Sequence, residues 1–510
     1  MRTIRRILDR TLVAAITTIV ATSLLAAAAF AQDATRLVIA QGTDAASLDP
    51  QLQNDAFSTS ILSNVFDTLI YRDADLELVP GLATAWRSLD DTTWELDLRE
   101  GVTFHDGSPF GPDDVVFTLL RPLTEGFGSP LAARFAVIDD VETVGPMTVR
   151  VHTVDPYPLL PARLSEWFIV SQAYVEANER ATVSERPVGT GAYRFVEWVK
   201  DDRLVLEANP DHWRGPPAVE RVTFRPIPEL STRVAALQAG DVDLITNVPA
   251  IRTAALTADP GLEVRSVPST FFQYVALDGT KNPVLADVRV RQAIQYATDV
   301  DEIVEFLFDG NAIPLAVPLA EGTFGVDTNI ERYPHDPERV RELLAEAGYP
   351  DGIRFALDAP VGRYAQDQET VEALVGQWAR VGIEVDLAIN EWSVQLTKYR
   401  DGDALTDAHF MGWGTSTFDA DDVIWGGFAN VPTKNDYENP VVTELAHEAR
   451  TTLDPERRME LYAEIQAIIV EELPWLILFQ QVDLYGVRSD LDWTPRPDQK
   501  IEVRTISLGP

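Results

Sequence analysis

Apolar positions along this chain follow two spacings, alternating every second residue in some stretches and recurring every third or fourth in others. In IEVDLAIN (383–390), Val385, Leu387 and Ile389 alternate with polar residues, the mark of a half-buried strand. RLVIAQ (36–41), TWELDLR (93–99), TVRVHTV (148–154) and RLVLEAN (203–209) read the same way. Elsewhere the period is helical. Asp336-Pro337 opens DPERVRELLAEAG as an N-cap followed by proline, Val340, Leu343, Leu344 and Ala347 form one stripe, and Gly348 stops it. Asp454-Pro455 repeats the device ahead of Leu461, Ile465, Ile468 and Ile469. Ser231 is expected to cap TRVAALQA, which Gly240 ends, and the stripe Val371, Leu374, Val375, Trp378 runs through Gly382 directly into IEVDLAIN. Helix feeding strand predicts an α/β fold. No internal repeat and no low-complexity linker interrupts it.

The first 31 residues depart from this pattern. MRTIRRILDR carries four arginines, TLVAAITTIVATSLLAAAAF is nearly uncharged, and Ala29-Phe30-Ala31 closes the stretch. A basic start, an apolar core and a small-x-small end predict a cleavable signal peptide over 1–31, against the alternative of an uncleaved membrane anchor. The 510-residue chain contains no cysteine, so no disulfide and no lipoprotein attachment are expected after export. The expected location is a bacterial periplasm. The formal net charge is −38. Phosphate backbones and anionic bilayers repel such a chain, which excludes nucleic-acid binding.

A search for chemistry is unrewarding. The six histidines include no pair at metal-binding spacing, and no P-loop, G-x-S-x-G or G-x-G-x-x-G is present. GTGAY (189–193) reads as a tight turn before a strand. HFMGWGTSTFDADD (409–422) is the exception, with Asp419, Asp421 and Asp422 within four positions. They admit a metal, a cationic ligand, or a solvated or helix-capping role. The apolar Val-Ile-Trp that follows does not suit a calcium loop. No metal and no cofactor is expected.

Several segments, taken in order, resemble one family. They are SLDPQLQNDAFSTSILSNVFDTLI (47–70), VPGLATAW (79–86), LREGVTFHDGSPFGPDDVVFTLLR (98–121), VGTGAYRFVEWVKDDRLVLEANPDHW (188–213), RVAALQAGDVDLITNVP (233–249), ADVRVRQAIQYATDVDEIV (286–304) and PERRMELYAEIQAIIVEELPWLILF (455–479). The set is similar to the dipeptide/oligopeptide-type (family 5) extracytoplasmic solute-binding proteins of ABC importers. The resemblance implies an α/β, two-lobed periplasmic binding protein fold of class II-like form, with an extra small domain and a hinge. It divides the chain into lobe I (32–53, 188–270 and 479–510), a small domain (54–187) and lobe II (271–478). It implies a monomer that encloses a ligand between its lobes and hands it to an inner-membrane ABC permease.

The resemblance also places candidate ligand contacts. PVGRYAQD (360–367) is similar to a segment whose arginine pairs with a ligand carboxylate, which puts Arg363 in that role, against a structural pairing with a surface carboxylate. Trp392 stands for a cleft wall or a core residue, and Tyr274 for a cleft or hinge position. HFMGWGTSTFDADD is similar to the segment that anchors a peptide's amino group through an aspartate three residues after the tryptophan. Here Trp413 is followed at that distance by Ser416. The departure points away from free-amino dipeptides, toward glutathione-like or oligosaccharide ligands, with either Asp419 or Asp421 reaching the ligand instead. The competing expectation, from a different class, is a secreted hydrolase acting on peptides or glycosides.

Overall fold

Two long antiparallel strands join the halves of the molecule, Leu262–Leu277 and Trp475–Arg488. At about 3.3 Å per residue the first spans roughly 50 Å, longer than one sheet needs. At one end Leu262–Pro268 pairs with Val482–Arg488, and at the other Phe272–Ala276 pairs with Trp475–Gln480. The register slips between Pro268 and Phe272. At that slip Gln480 Nε2 donates to Ser269 O at 2.7 Å and Gln480 Oε1 accepts from Glu321 N at 2.9 Å. A slip bends a strand pair, so the sheet turns here from one lobe into the other. This computed structural model describes residues 35–74, 76–401, 404–430 and 437–509. The leader expected at 1–31 lies outside the described residues.

On one side of the slip the sheet continues through Leu244–Ile245, Arg36–Gln41, Arg221–Pro226, Arg203–Ala208 and Tyr193–Val199. On the other it continues through Ala408–Gly414, Ile353–Val361 and Ile383–Glu391. Arg36–Gln41 lies parallel to both neighbours, and so does Ile353–Val361. Ala408–Gly414 runs antiparallel to Leu262–Leu277, and Leu244–Ile245 antiparallel to Trp475–Arg488, each toward the slip, since Gly414 faces Phe271 and Ile245 faces Gly486. The carboxyl ends of the parallel strands in both lobes therefore converge on the cleft beside the hinge. In open α/β sheets, ligands bind outside those ends.

The predicted strands all form. Helix Pro337–Glu346 carries the expected Asp336 cap, and Pro455–Glu472 is capped by Asp454. One cap differs. Helix Leu230–Ala239 is capped by Glu229, whose carboxylate accepts from Ser231 N and Thr232 N, so Ser231 lies inside the first turn. The longer carboxylate reaches two backbone donors where the Ser231 hydroxyl would reach one.

A separate four-stranded antiparallel sheet, Ala83–Ser88, Thr93–Leu98, Thr148–Thr153 and Ile138–Gly145, has its own core, in which Phe135 stacks on Trp167 at 3.9 Å. The Arg121–Asp49 ion pair, 2.6 Å and buried, joins it to the first lobe. GTGAY is a close-packing turn. A Cβ on Gly189 would fall 2.1 Å from Val65 O, and one on Gly191 would fall 2.5 Å from the Val65 carbonyl carbon.

Candidate functional site

Three segments leave the carboxyl ends of adjacent parallel strands in the second lobe. Each carries residues singled out in the sequence. After Ile353–Val361 comes the turn that holds Arg363. Asp367, buried, gathers this turn by accepting from Gly362 N at 3.1 Å, Arg363 N at 2.8 Å and Tyr364 N at 3.0 Å. Gly362 (φ 79°) permits the reversal. The Arg363 guanidinium is exposed and lies 5.3 Å from the Trp392 ring and 5.0 Å from Tyr364. Among the described residues it pairs with no carboxylate. Trp392, half-buried, begins the helix Trp392–Asp401 that follows Ile383–Glu391, and meets Tyr364 edge-on at 6.1 Å. Tyr364 Oη donates to Gly412 O at 3.3 Å, which ties this wall to the third segment.

That third segment follows Ala408–Gly414. Trp413 is half-buried. Its ring lies 5.7 Å from Trp475 and packs so closely on Gly426 that a Cβ there would meet it at 2.8 Å. Beyond it, each carboxylate of the acidic stretch has its own arginine. Asp419 Oδ1 accepts from Arg458 Nη2 at 2.8 Å and from Tyr462 Oη at 3.2 Å, all three side chains buried inside the second lobe. Asp421 accepts from Arg450 Nη1 at 2.8 Å. Asp422 pairs with Arg163 through Oδ1, while its Oδ2 accepts from Ser416 N at 3.0 Å, Thr417 N at 3.1 Å and Thr417 Oγ1 at 2.9 Å. Burial pushes the Asp421 carboxyl up to about 6, only partly opposed by Arg450. Burial acts on Asp422 in the same direction, but Arg163 and the Thr417 hydrogen bonds outweigh it and hold that carboxyl below the usual range.

Two expected contacts are placed elsewhere. Tyr274 is enclosed in the second lobe's core, stacked on Trp475 at 3.8 Å among the side chains of the helices Pro440–Thr451 and Pro455–Glu472. Asp419 is paired with Arg458 inside the second lobe. Ser416, by contrast, stands at the interface, where its Oγ receives Arg163 Nη1 at 3.3 Å.

The residues that sequence reasoning missed come from the opposite side. Arg163 lies on the short helix Leu160–Leu164 of the small domain, yet reaches Ser416 and Asp422. Arg72 donates through Nη2 to Thr417 O at 2.6 Å, and its guanidinium lies 4.8 Å from the Phe418 ring. Arg450 in turn lies 5.4 Å from the Tyr157 ring of the small domain. The small domain therefore touches the second lobe. No local motif marks Arg72 or Arg163, whose partners lie 345 and up to 259 positions away.

Two α/β lobes joined by a bent strand pair, with aromatic and charged side chains at the strand ends beside it, have the form of a ligand receptor that closes on what it binds. The family model for bacterial extracellular solute-binding proteins, family 5, matches residues 77–435, and the chain belongs to that family. A glutathione-binding protein of Pectobacterium atrosepticum is 30% identical over 456 residues, 86% of this chain and 88% of its own length. A heme-binding protein of Haemophilus influenzae is 29% identical over 446 residues, 81% of each chain. A periplasmic binding protein of Helicobacter pylori, solved with the peptide STSA, superposes with a TM-score of 0.80 at 27% identity, covering 94% of this chain and 99% of its own. The protein is a solute-binding protein of the ABC-transporter type. Hydrolysis finds no support in these relatives, which are named as binding proteins. Among the described residues no helix is long and apolar enough to cross a membrane.

Proposed function

We propose that this protein is exported by the leader 1–31, acts as a monomer in the periplasm, and delivers a small solute to an inner-membrane permease. Peptides, glutathione-like molecules and oligosaccharides are the candidate ligands. The observation that carries the reading is the convergence of Arg363, Trp392, Trp413 and Ser416 on the strand ends beside the hinge. In this reading lobe I comprises 32–53, 188–270 and 479–510, the small domain 54–187 and lobe II 271–478. Arg363 takes a ligand carboxylate, for which a planar guanidinium unmatched by any carboxylate among the described residues is suited. Trp392 and Trp413 supply the apolar walls. Closure follows from the ligand's higher affinity for the closed form.

A thermal-shift screen with peptides, glutathione, oligosaccharides and metal chelates tests the proposal. A binder raises Tm by an amount that grows with the logarithm of its concentration above Kd, and mass spectrometry of co-purified material names a retained ligand. Silence across the whole panel and an empty co-purification would reject it. Turnover of a bound peptide or glycoside would return the hydrolase.

A further inference from the structure

The small domain and the second lobe meet through side chains. Among the described residues no backbone–backbone hydrogen bond joins 54–187 to 271–478. Arg163 pairs with Asp422 and donates to Ser416 Oγ at 3.3 Å, Arg72 Nη2 donates to Thr417 O at 2.6 Å, and Arg450 lies 5.4 Å from the Tyr157 ring. On its other side the small domain is fixed to the first lobe. Arg121 Nη2 meets Asp49 at 2.6 Å, Gln51 Nε2 donates to Thr118 O at 2.7 Å, and Arg496 Nη1 donates to Asp73 O at 2.9 Å. A rotation about the strand slip would therefore carry the small domain with the first lobe. It would part Arg163 from Asp422 without breaking a backbone–backbone hydrogen bond at that contact.

Each half of this ion pair is set in place by its own side. Arg163 Nε donates to Tyr157 Oη at 3.2 Å and Nη1 to Glu166 Oε1 at 3.3 Å, both within the small domain. Asp422 Oδ2 accepts from Ser416 N at 3.0 Å, Thr417 N at 3.1 Å and Thr417 Oγ1 at 2.9 Å, which leaves Oδ1 for Arg163. Side chains held in advance lose little rotamer freedom when they meet. Both are about nine-tenths buried. A buried pair offsets its desolvation only where the remaining donors and acceptors are satisfied, as they are here. Burial pushes the Asp422 carboxyl up, yet Arg163 and the Thr417 hydrogen bonds hold it below the usual range, so the pairing outweighs the loss of water.

We propose that Arg163 and Asp422 form a latch that holds the small domain against the second lobe without help from a ligand, so that the unliganded receptor already populates its closed form. The proposal deepens the receptor reading above and rests on it. Binding is completed in the closed form, so the apparent affinity for every ligand scales with the fraction closed. The latch thus acts on affinity through the conformational equilibrium, with no ligand contact of its own.

The chain has no cysteine, so dyes can be placed one on each side. Glu179→Cys in the small domain and Glu464→Cys on the helix Pro455–Glu472 are both at exposed positions. Single-molecule energy transfer is read on the full-length mature protein, freed of ligand by unfolding in guanidinium and refolding. With Arg163 intact, a closed population is expected beside the open one. Arg163→Met should lower the closed-to-open ratio by about tenfold or more. Asp422→Asn should lower it too, and the two changes together should do little more than Arg163→Met alone, since they remove one interaction. Tyr157→Phe, which removes only the hydroxyl that sets Arg163, should lower the ratio about threefold and keeps the test open if the methionine variant does not fold. An unliganded protein that is wholly open with Arg163 intact overturns the latch whether or not any variant folds. An unchanged ratio in Arg163→Met, or in Tyr157→Phe where that is the variant that folds, overturns it as well. The receptor reading is decided by the ligand screen and not by this ratio.

Discussion

Arg458 and Asp419 form an ion pair of 2.8 Å within the second lobe, both side chains about nine-tenths buried. Burial alone would push the Asp419 carboxyl up, and Arg458 opposes this. Asp419→Ala would leave an uncompensated guanidinium in the core. Breaking a buried pair from one side typically costs about 3–5 kcal/mol. A fall of that size in urea-unfolding free energy is expected, and a stability loss below about 1 kcal/mol joined to a loss of ligand affinity would return Asp419 to the binding site.

Arg363 makes the opposite prediction. Its guanidinium is exposed and contributes to the fold only by lying over Trp392 and Tyr364, worth about 0.5–1 kcal/mol in such settings. Arg363→Ala should leave the unliganded Tm nearly unchanged. Affinity for a carboxylate-bearing ligand should drop by about 1.5–3 kcal/mol, the worth of a hydrogen bond to a charged group, roughly tenfold to a hundredfold. Calorimetry on wild type and variant decides the matter, and equal affinities would remove Arg363 from the site.

Gly189→Ala tests the close-packing turn. The added methyl would be driven against the Val65 carbonyl oxygen, a backbone atom that cannot rotate aside. Overpacking of this kind costs about 1–3 kcal/mol or more. Chemical denaturation should register it, with Arg363 and Trp392 on the other lobe unaffected. A neutral result would mean that the contact between the turn and Asn64–Phe66 relaxes easily.

Glu502 predicts a pH dependence. Its carboxyl is raised from an ordinary 4.5 to about 8, chiefly by burial, with Arg504 opposing and Asp67 adding to the rise. The folded state then holds this proton through a range where the unfolded state has lost it. Stability from this group is therefore full below about pH 4.5 and lost progressively as pH rises toward 8. Glu502→Gln should gain on wild type across that window, measured as the difference in urea midpoints at pH 5, 6, 7 and 8. A constant difference would show that Glu502 is ionised throughout.

Much of the scaffold was legible because it rests on local rules. The alternation in 383–390, the Asp336-Pro337 and Asp454-Pro455 starts and the glycine stops all depend on residues a few positions apart, and the structure reproduces them. The slip at Ser269–Phe271 was not visible, since it is set by how Trp475–Arg488 pairs from two hundred residues away. The aspartates of 419–422 drew notice through composition, but their arginines lie on other helices and another domain.

By itself the sequence determined the α/β class, most of the strand and helix positions, the family and the strand-end segments that carry Arg363, Trp392 and Trp413. Tertiary structure alone decided which charges remain free. The same three carboxylates leave a cationic-ligand site and a solvated or capping loop both open until Arg458, Arg450 and Arg163 are brought to them. An ionic group's chemistry depends on its partner and its burial, and both are properties of the folded chain.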